Sequence, residues 1–530
     1  MRPDRSGAGA LLKSGCLLAL AAASVGQARA ADPVRASIAQ GEIGGAAVDG
    51  VEYFMGIPYA APPVGDLRWR EPRAPVHWSG VRDATKAGAI CPQPARGEAA
   101  SAATSEDCLF VNIWRPAGTK PGARLPVMVW YHGGGMVFGS GSATDGRYLA
   151  RKGVILVTLN YRLGHLGVFA HPALSAENPD GLTGNFTLMD AVAALKWVGA
   201  NVADFGGDPG NVTIFGFSAG AQIVNTLMVT PSAKGLFAKA ITQSGLGRNY
   251  GLEGQNRMVP LRGRATLTGE KAGLALAEQL GVQGTGPEAL KALRAIAPEK
   301  FKIAVTSLPG SMIDGTLLPE PIASAYRAGR EAPVPQIIGR TKCERCNVPP
   351  LMERPETTFV RTGALRERAV ALYGGDDGKA ALQLASDLDH TEPARYLSRY
   401  HARNGRNTWS YVFDYTPRAK RGEMSAPAHG DDIPYIFGTL QSPTARRFDP
   451  TDMDLQVSDA MMTYWTNFAR NSDPGSAGGL SWPQFQPGPN EKALVFTNDG
   501  PRVETDFNKD RLDLAEQVNE TFQAQSYIPD

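Results

Sequence analysis

One short stretch constrains this chain more than any other: Gly216-Phe217-Ser218-Ala219-Gly220, set between the β-rich run Val212-Thr213-Ile214-Phe215 and a helix-like stretch from Ala219 to Val229. A strand that turns sharply into a helix forces the central side chain outward, and small neighbours permit so tight a backbone. The turn also sets Ser218 near a helix N-terminus, where free N–H groups favour negative charge. The pattern G-x-S-x-G arises often by chance, so the flanks carry the weight. With a strand before it and a helix after it, an exposed, activatable serine outweighs an ordinary glycine-rich turn.

The stretches around this turn repeat its logic. Pro126-Val127-Met128-Val129-Trp130-Tyr131 is an apolar, β-rich run that ends at His132-Gly133-Gly134-Gly135. Val154 to Leu159 is a second continuous apolar run, the pattern of a strand buried on both faces. Leu188 to Val202 reads as a helix, with Ala191, Ala194, Leu195 and Val198 on one side. The turn signal Gly206-Gly207-Asp208-Pro209-Gly210 then precedes the strand Val212–Phe215. Strand–helix–strand alternation implies an α/β fold with a mostly parallel sheet covered by helices on both faces. Further strands are expected at Lys239–Gln243 and Val334–Ile338, and helices at Gly269–Leu280, Pro287–Arg294 and Leu455–Asn467. The small, polar stretch from Glu98 to Ser105 reads as a surface loop. No repeat and no convincing linker divides the chain, so residues 31–530 are expected to form one domain.

Composition narrows the function classes. Of 530 residues, 43% are hydrophobic and 20% charged, an ordinary globular balance. Lys and Arg number 54 against 52 Asp and Glu, a net charge of +2, so no global field attracts nucleic acid or an anionic membrane. The N-terminus reads as a signal peptide: Arg2, Arg5 and Lys13 are basic, Cys16 to Val25 is apolar, and Ala28-Arg29-Ala30 fits a cleavage site after Ala30. The apolar run is too short to span a bilayer comfortably, and no later run is of spanning length. The mature chain is therefore expected outside the cytoplasm, periplasmic or secreted, with no membrane insertion. Removing Cys16 leaves Cys91, Cys108, Cys343 and Cys346. An even number in an exported chain favours disulfides, and sequence order suggests the local pairs Cys91–Cys108 and Cys343–Cys346. Zinc is the weaker reading, since no histidine lies near either pair.

An activated serine needs a base and a group that orients the base. Where the chain order is nucleophile, acid, histidine, only His390, His401 and His429 qualify. His401 is expected on a solvated helix or at its end, and His390 at a polar helix boundary. His429, in Ala426-Pro427-Ala428-His429-Gly430, sits in a small-residue loop suited to presenting a side chain, and is the expected base. Glu344 follows the strand Val334–Ile338 by a short loop, the usual place for a group at a sheet's C-terminal edge. Asp314 is the alternative acid, although Asp314-Gly315 reads more readily as a turn. The glycines after His132 offer unobstructed N–H groups, which can contribute about 3 kcal/mol each when aimed at an oxyanion.

Further motifs carry a resemblance: Phe54-Met55-Gly56-Ile57-Pro58-Tyr59-Ala60, Ser105-Glu106-Asp107-Cys108-Leu109, Asn160-Tyr161-Arg162-Leu163-Gly164, Gly184-Asn185 with Asp190, Phe205-Gly206-Gly207-Asp208-Pro209, His429-Gly430-Asp431-Asp432-Ile433-Pro434-Tyr435 and Tyr464-Trp465-Thr466-Asn467-Phe468-Ala469. Across essentially the whole mature chain the sequence resembles the type-B carboxylesterases, which include cholinesterases and para-nitrobenzyl-type esterases. The resemblance implies an α/β-hydrolase fold, a Ser218–Glu344–His429 triad, and oxyanion donors at Gly134, Gly135 and Ala219. It also implies the Cys91–Cys108 disulfide and structural ion pairs of Arg68 with Glu106 and Arg162 with Asp190. Two departures stand out. Phe217 occupies the place where the family usually has Glu, which disfavours cationic substrates. Arg345 stands where Gly is usual, inside Cys343-Glu344-Arg345-Cys346, a segment expected to hold a local disulfide that stiffens the acid's loop.

The expected activity is hydrolysis of small-molecule carboxylic esters through an acyl-enzyme, with no metal or organic cofactor and no nucleic-acid partner. The alternative from another class is a non-catalytic relative that binds proteins; such relatives typically lose a triad residue, and all three are present here. An amidase is chemically adjacent, while a lipase is disfavoured by the lack of a distinct amphipathic lid.

Overall fold

Continuous apolar runs make strands that need cover on both faces, and the chain supplies it. The computed structural model describes residues 33–95, 101–178, 183–248, 269–302, 311–346, 355–374, 378–442 and 448–526. The leader, 1–30, and residues 98–100 of the expected surface loop lie outside the described residues.

The first strands are β1 (Pro33–Ile38), β2 (Gly41–Val48), β3 (Val51–Pro58), β4 (Val81–Asp83) and β5 (Phe110–Pro116). They are followed by β6 (Leu125–Tyr131), β7 (Ile155–Leu159) and the short hairpin partners β8 (Val168–Phe169) and β9 (Gly184–Asn185). Next come β10 (Gly207–Phe217), β11 (Lys239–Gln243), β12 (Gln336–Thr341) and β13 (Thr408–Asp414). The last are β14 (Ser476–Ala477), β15 (Leu480–Ser481), β16 (Lys492–Thr497) and β17 (Gly500–Thr505). Thirteen of them form one sheet in the order β1-β2-β3-β5-β7-β6-β10-β11-β12-β13-β16-β17, with β4 beside β2. From β7 through β16 every neighbour is parallel. Antiparallel pairs build one flank, from β1 to β7, and the far edge at β17.

Side-chain alternation on the central strands separates two cores. Val127, Val129 and Tyr131 of β6 join one cluster with Ile155, Val157 and Leu159 of β7 and Ile214 of β10. Met128, Trp130, Leu156 and Phe215 point the other way. The first face is covered by helix Phe186–Asn201, which buries Ala191, Ala194, Leu195 and Val198 as its sequence pattern requires. The second is covered by helix Asp452–Asn471 through Tyr464, Trp465 and Phe468. A continuous apolar run is thus two interleaved faces, each buried Val or Leu contributing about 1.5–3 kcal/mol.

Several expected boundaries move, each for a local reason. The strand expected at Val334–Ile338 runs instead over Gln336–Thr341, because Pro335 has no N–H for the ladder; its carbonyl still accepts from Ala240 N at 3.1 Å. The expected turn Gly206–Gly210 is absorbed into the start of β10, whose register against β6 shifts between Gly207 and Val212. There the Asp208 carboxylate accepts from Gly210 N at 2.9 Å, a side-chain turn held within the strand. The helix expected at Leu455–Asn467 begins earlier, because Thr451 and Asp454 form a capping box.

Two ion pairs fix the layers. Arg162 grips Asp190 with Nε–Oδ2 at 2.8 Å and Nη2–Oδ1 at 2.7 Å, fully buried. Arg68 Nε meets Glu106 Oε1 at 2.7 Å, and Arg68 Nη1 donates to the Ile296 carbonyl at 2.6 Å. Both disulfides are present, Cys91–Cys108 and Cys343–Cys346.

Candidate active site

The C-terminal ends of β6, β10, β12 and β13 open on one side of the sheet, where parallel α/β folds gather their functional groups. Ser218 comes directly after β10 and carries φ 55° and ψ −122° before helix Ala219–Leu227 begins. For a non-glycine residue that geometry is strained, and it aims the hydroxyl away from the sheet. Close packing beneath the turn explains its glycines. A Cβ on Gly220 would run into the Tyr131 carbonyl, and one on Gly216 would lie 2.5 Å from the Gly220 backbone. The Ser218 amide donates to the Gln243 carbonyl at 2.9 Å, pinning the turn to β11.

His429 reaches the serine from the loop after β13. Its Nε2 lies 2.7 Å from Ser218 Oγ, and its Nδ1 lies 2.6 Å from Glu344 Oε2. Glu344 stands three residues beyond β12, and its remaining oxygen accepts from Thr341 N at 2.8 Å. The Glu344 amide in turn donates to Ser386 Oγ at 2.8 Å. Burial pushes the Glu344 carboxyl up, but the hydrogen bond and charge of His429 outweigh it and hold it at about 2. Burial alone would depress His429, yet its hydrogen bond to Glu344 and the Glu344 and Asp432 charges raise it above an ordinary imidazole.

The glycine loop after β6 faces the same opening. His132 stacks on Tyr161 with ring centroids 4.2 Å apart. Its Nδ1 lies 2.8 Å from the Gly133 carbonyl, while Tyr161 Oη donates to the His132 carbonyl at 2.5 Å. Burial holds His132 down to about 4, so it is neutral. Gly134 and Gly135 both take positive φ, 114° and 64°, and a Cβ on Gly134 would strike the Phe138 carbonyl. Ala219, first residue of its helix, has no intrahelical acceptor for its N–H.

Other residues singled out in the sequence fall elsewhere. Asp314 is a turn residue: its Oδ1 accepts from Thr316, Leu317 and Leu318 amides at 2.8–3.0 Å. His401 is not solvated but fully buried, its Nδ1 3.0 Å from Glu331 Oε1 and its Nε2 2.9 Å from the Val334 carbonyl. The strongly amphipathic helix Glu392–Arg403 turns this histidine toward the core rather than toward water.

Two neighbours pack against the His429 ring. His390 lies on a π-helical turn, Asp387–Thr391, and packs edge-on against His429 with centroids 5.3 Å apart. Burial holds it down to about 4. Its only sequence signal is that it is one of three histidines after Ser218; a π-turn has no recognisable pattern. Phe217 packs on the His429 ring at 4.6 Å. A Cβ on Gly133 would lie 2.7 Å from its ring and one on Gly430 2.8 Å, so Phe217 is wedged between the glycine loop and the histidine loop. A cavity of about 660 Å³, lined by Arg70, Glu177, Lys291 and Arg294 among others, contains none of these groups.

Comparison with known proteins gives the same assignment across the chain. The family model described as "Carboxylesterase family" matches residues 32–369 and 372–515. The chain is 37% identical over 468 residues to fumonisin B1 esterase of Sphingopyxis macrogoltabida, covering 82% of each protein. It is 34% identical to para-nitrobenzyl esterase of Bacillus subtilis (strain 168), over 84% of this chain and 91% of that one. A solved para-nitrobenzyl esterase superposes with a TM-score of 0.77 at 30% identity, covering 94% of this chain and 99% of the other. A carboxylesterase of Geobacillus stearothermophilus gives 0.76 at 30% identity, over 91% and 99%. The sheet is that of an α/β-hydrolase. On its sequence, its fold and the serine at its sheet edge, the chain belongs to the carboxylesterase family and is a serine ester hydrolase.

Proposed function

We propose that Ser218, His429 and Glu344 are the catalytic triad of this esterase and that catalysis runs through an acyl-enzyme. The observation that carries the reading is the unbroken hydrogen-bonded chain from Glu344 through His429 to Ser218, at 2.6 and 2.7 Å. Glu344 stays ionised and fixes the tautomer with the proton on Nδ1, leaving the Nε2 lone pair to take the Ser218 proton. Ser218 Oγ attacks the ester carbonyl, and the amides of Gly134, Gly135 and Ala219 receive the oxyanion. His429 then gives its Nε2 proton to the leaving alcohol, and water repeats the sequence to free the acid.

The substrates on this reading are small carboxylic esters, as the names of the para-nitrobenzyl and fumonisin B1 esterases suggest. Phe217 beside the base argues for neutral or anionic esters over cationic ones, because an aromatic ring replaces a carboxylate that would attract a cation. Two disulfides and the basic, then apolar, N-terminal stretch favour export, with residues 31–530 as one catalytic domain. Among the described residues no helix is long and apolar enough to cross a membrane.

Ser218→Ala tests the core of the reading. The variant is expected to keep the native circular dichroism spectrum while losing about 10⁴-fold or more in kcat on a para-nitrophenyl ester, and to escape labelling by a fluorophosphonate. Turnover within tenfold of the unaltered protein would refute it.

A further inference from the structure

We propose that Glu344, His390 and His429 form a binding site for a divalent transition-metal cation of the zinc type, and that its occupancy shuts the esterase off; the shut-off rests on the triad reading above. One carboxylate oxygen and one ring nitrogen from each histidine all lie within 4.8 Å of one another. For three points so spaced, some position lies no more than about 2.8 Å (4.8/√3) from all of them, within small side-chain shifts of the roughly 2.0–2.2 Å that zinc takes to imidazole nitrogen and carboxylate oxygen.

His390 gives the cluster its third donor and has no other evident task. It lies outside the Glu344–His429–Ser218 chain, and its Nδ1 is buried with no hydrogen-bond partner. His390 sits on the π-turn Asp387–Thr391, a local distortion often found at functional sites, and its ring lies against His429. The charges around the cluster tolerate a cation. Arg345 is paired with Asp389, which also holds Arg361 at 2.8 Å. Glu344 supplies a full negative charge beside His429, while burial and the Glu344 charge push Asp432 up to about 7, so it adds only part of one near neutrality. The His429 side chain is 30% exposed and forms the solvent-facing rim of the cluster, with Glu344 buried behind it.

Occupancy has a defined chemical consequence. His429 faces Glu344 through Nδ1, so an ion between the two takes the Nδ1 lone pair. The imidazole proton then resides on Nε2, with no net proton gained or lost, while the ion sheds water ligands. Nε2–H donates toward Ser218 instead of accepting from it, and the serine has no base. The three donors leave the ion's remaining position to water.

The test titrates the full chain with zinc sulfate alone, following hydrolysis of a para-nitrophenyl ester and, separately, heat of binding. Zinc is expected to inhibit reversibly, with chelator restoring the rate. His390→Ala is expected to need at least about tenfold more zinc for half inhibition, read relative to its own zinc-free rate, as loss of a metal-site partner costs about 10–100-fold in affinity. His390→Gln provides the same comparison if the alanine variant does not fold. Ser218→Ala, lacking the serine but not the donors, is expected to bind zinc by calorimetry as the unaltered chain does, so the site is tested even if the triad reading fails. Equal zinc sensitivity with and without His390, or no heat of zinc binding, would overturn the site; binding without inhibition at millimolar zinc would overturn the shut-off.

Discussion

At the scale of single residues, the behaviour of His429 is decided by what surrounds it. Its ring touches Phe217 on one side and His390 on another, and both ring nitrogens are hydrogen-bonded. Burial lowers its affinity for a proton, but the Glu344 hydrogen bond and charge raise it further, so the net shift is upward. The base works only when neutral. Activity is therefore expected to fall as pH drops through this raised value, giving an acid limb above that of a free imidazole. Glu344, held at about 2, stays charged throughout and adds no limb of its own in that range. Glu344→Gln removes the two largest raising causes and leaves burial opposed only by the smaller Asp432 charge, so the acid limb of kcat/KM moves to lower pH. At the same time kcat drops about 10⁴-fold, the scale seen when a triad carboxylate becomes an amide. A pH–rate profile of the two proteins checks both, and an unmoved limb would contradict the assignment of Glu344 as the group that tunes this base.

At the scale of elements, the sheet was legible where the sequence has to satisfy a strong local rule. The strands β6 and β7 are buried on both faces and had to be almost wholly apolar; the elbow needed glycines beneath Tyr131. Ser218, Glu344 and His429, the proposed triad, were each singled out from strand ends, loop composition and chain order, with Asp314 as the alternative acid. What escaped were features set by packing between distant segments. The antiparallel flank from β1 to β5 alternates too weakly to read. His401 looked solvated because its neighbours are charged, yet Glu331, seventy residues earlier, draws it inward. The helix Phe186–Asn201 illustrates how a charge can tie elements together. Its Asp190 is 0% exposed and holds Arg162, in the loop after β7, by two side-chain hydrogen bonds and a third from the Arg162 amide at 2.9 Å. Asp190→Ala would leave a guanidinium buried and unpaired. A loss of about 3–5 kcal/mol in unfolding free energy is expected, read from urea titration of tryptophan fluorescence. A loss under 1 kcal/mol would mean that Arg162 finds water or another partner when released.

At the scale of the molecule, the two disulfides close loops of very different length, 17 residues against three, and are expected to matter differently. Cys91–Cys108 spans 17 residues of the flank that leads into β5, far in sequence from the proposed triad. Closing such a loop restricts the unfolded chain and contributes about 3 kcal/mol. Cys343–Cys346 spans only three residues, so its effect on the unfolded chain is small, but it brackets Glu344 and the Arg345 that pairs with Asp389. The Cys343 amide also donates to the Pro427 carbonyl at 3.3 Å, joining the acid's loop to the segment that carries His429. Replacing both members of each pair by Ser separates the two contributions. The Cys91/Cys108 variant is expected to lose about 3 kcal/mol in urea unfolding while keeping kcat within twofold. The Cys343/Cys346 variant is expected to unfold at nearly the unaltered urea midpoint but to lose about tenfold or more in kcat, because a misplacement of order 1 Å between carboxylate and imidazole is costly. If the second pair proves silent in both measurements, the hydrogen bonds of Glu344 with Thr341, Ser386 and His429 hold the acid, and the disulfide has no part in placing it.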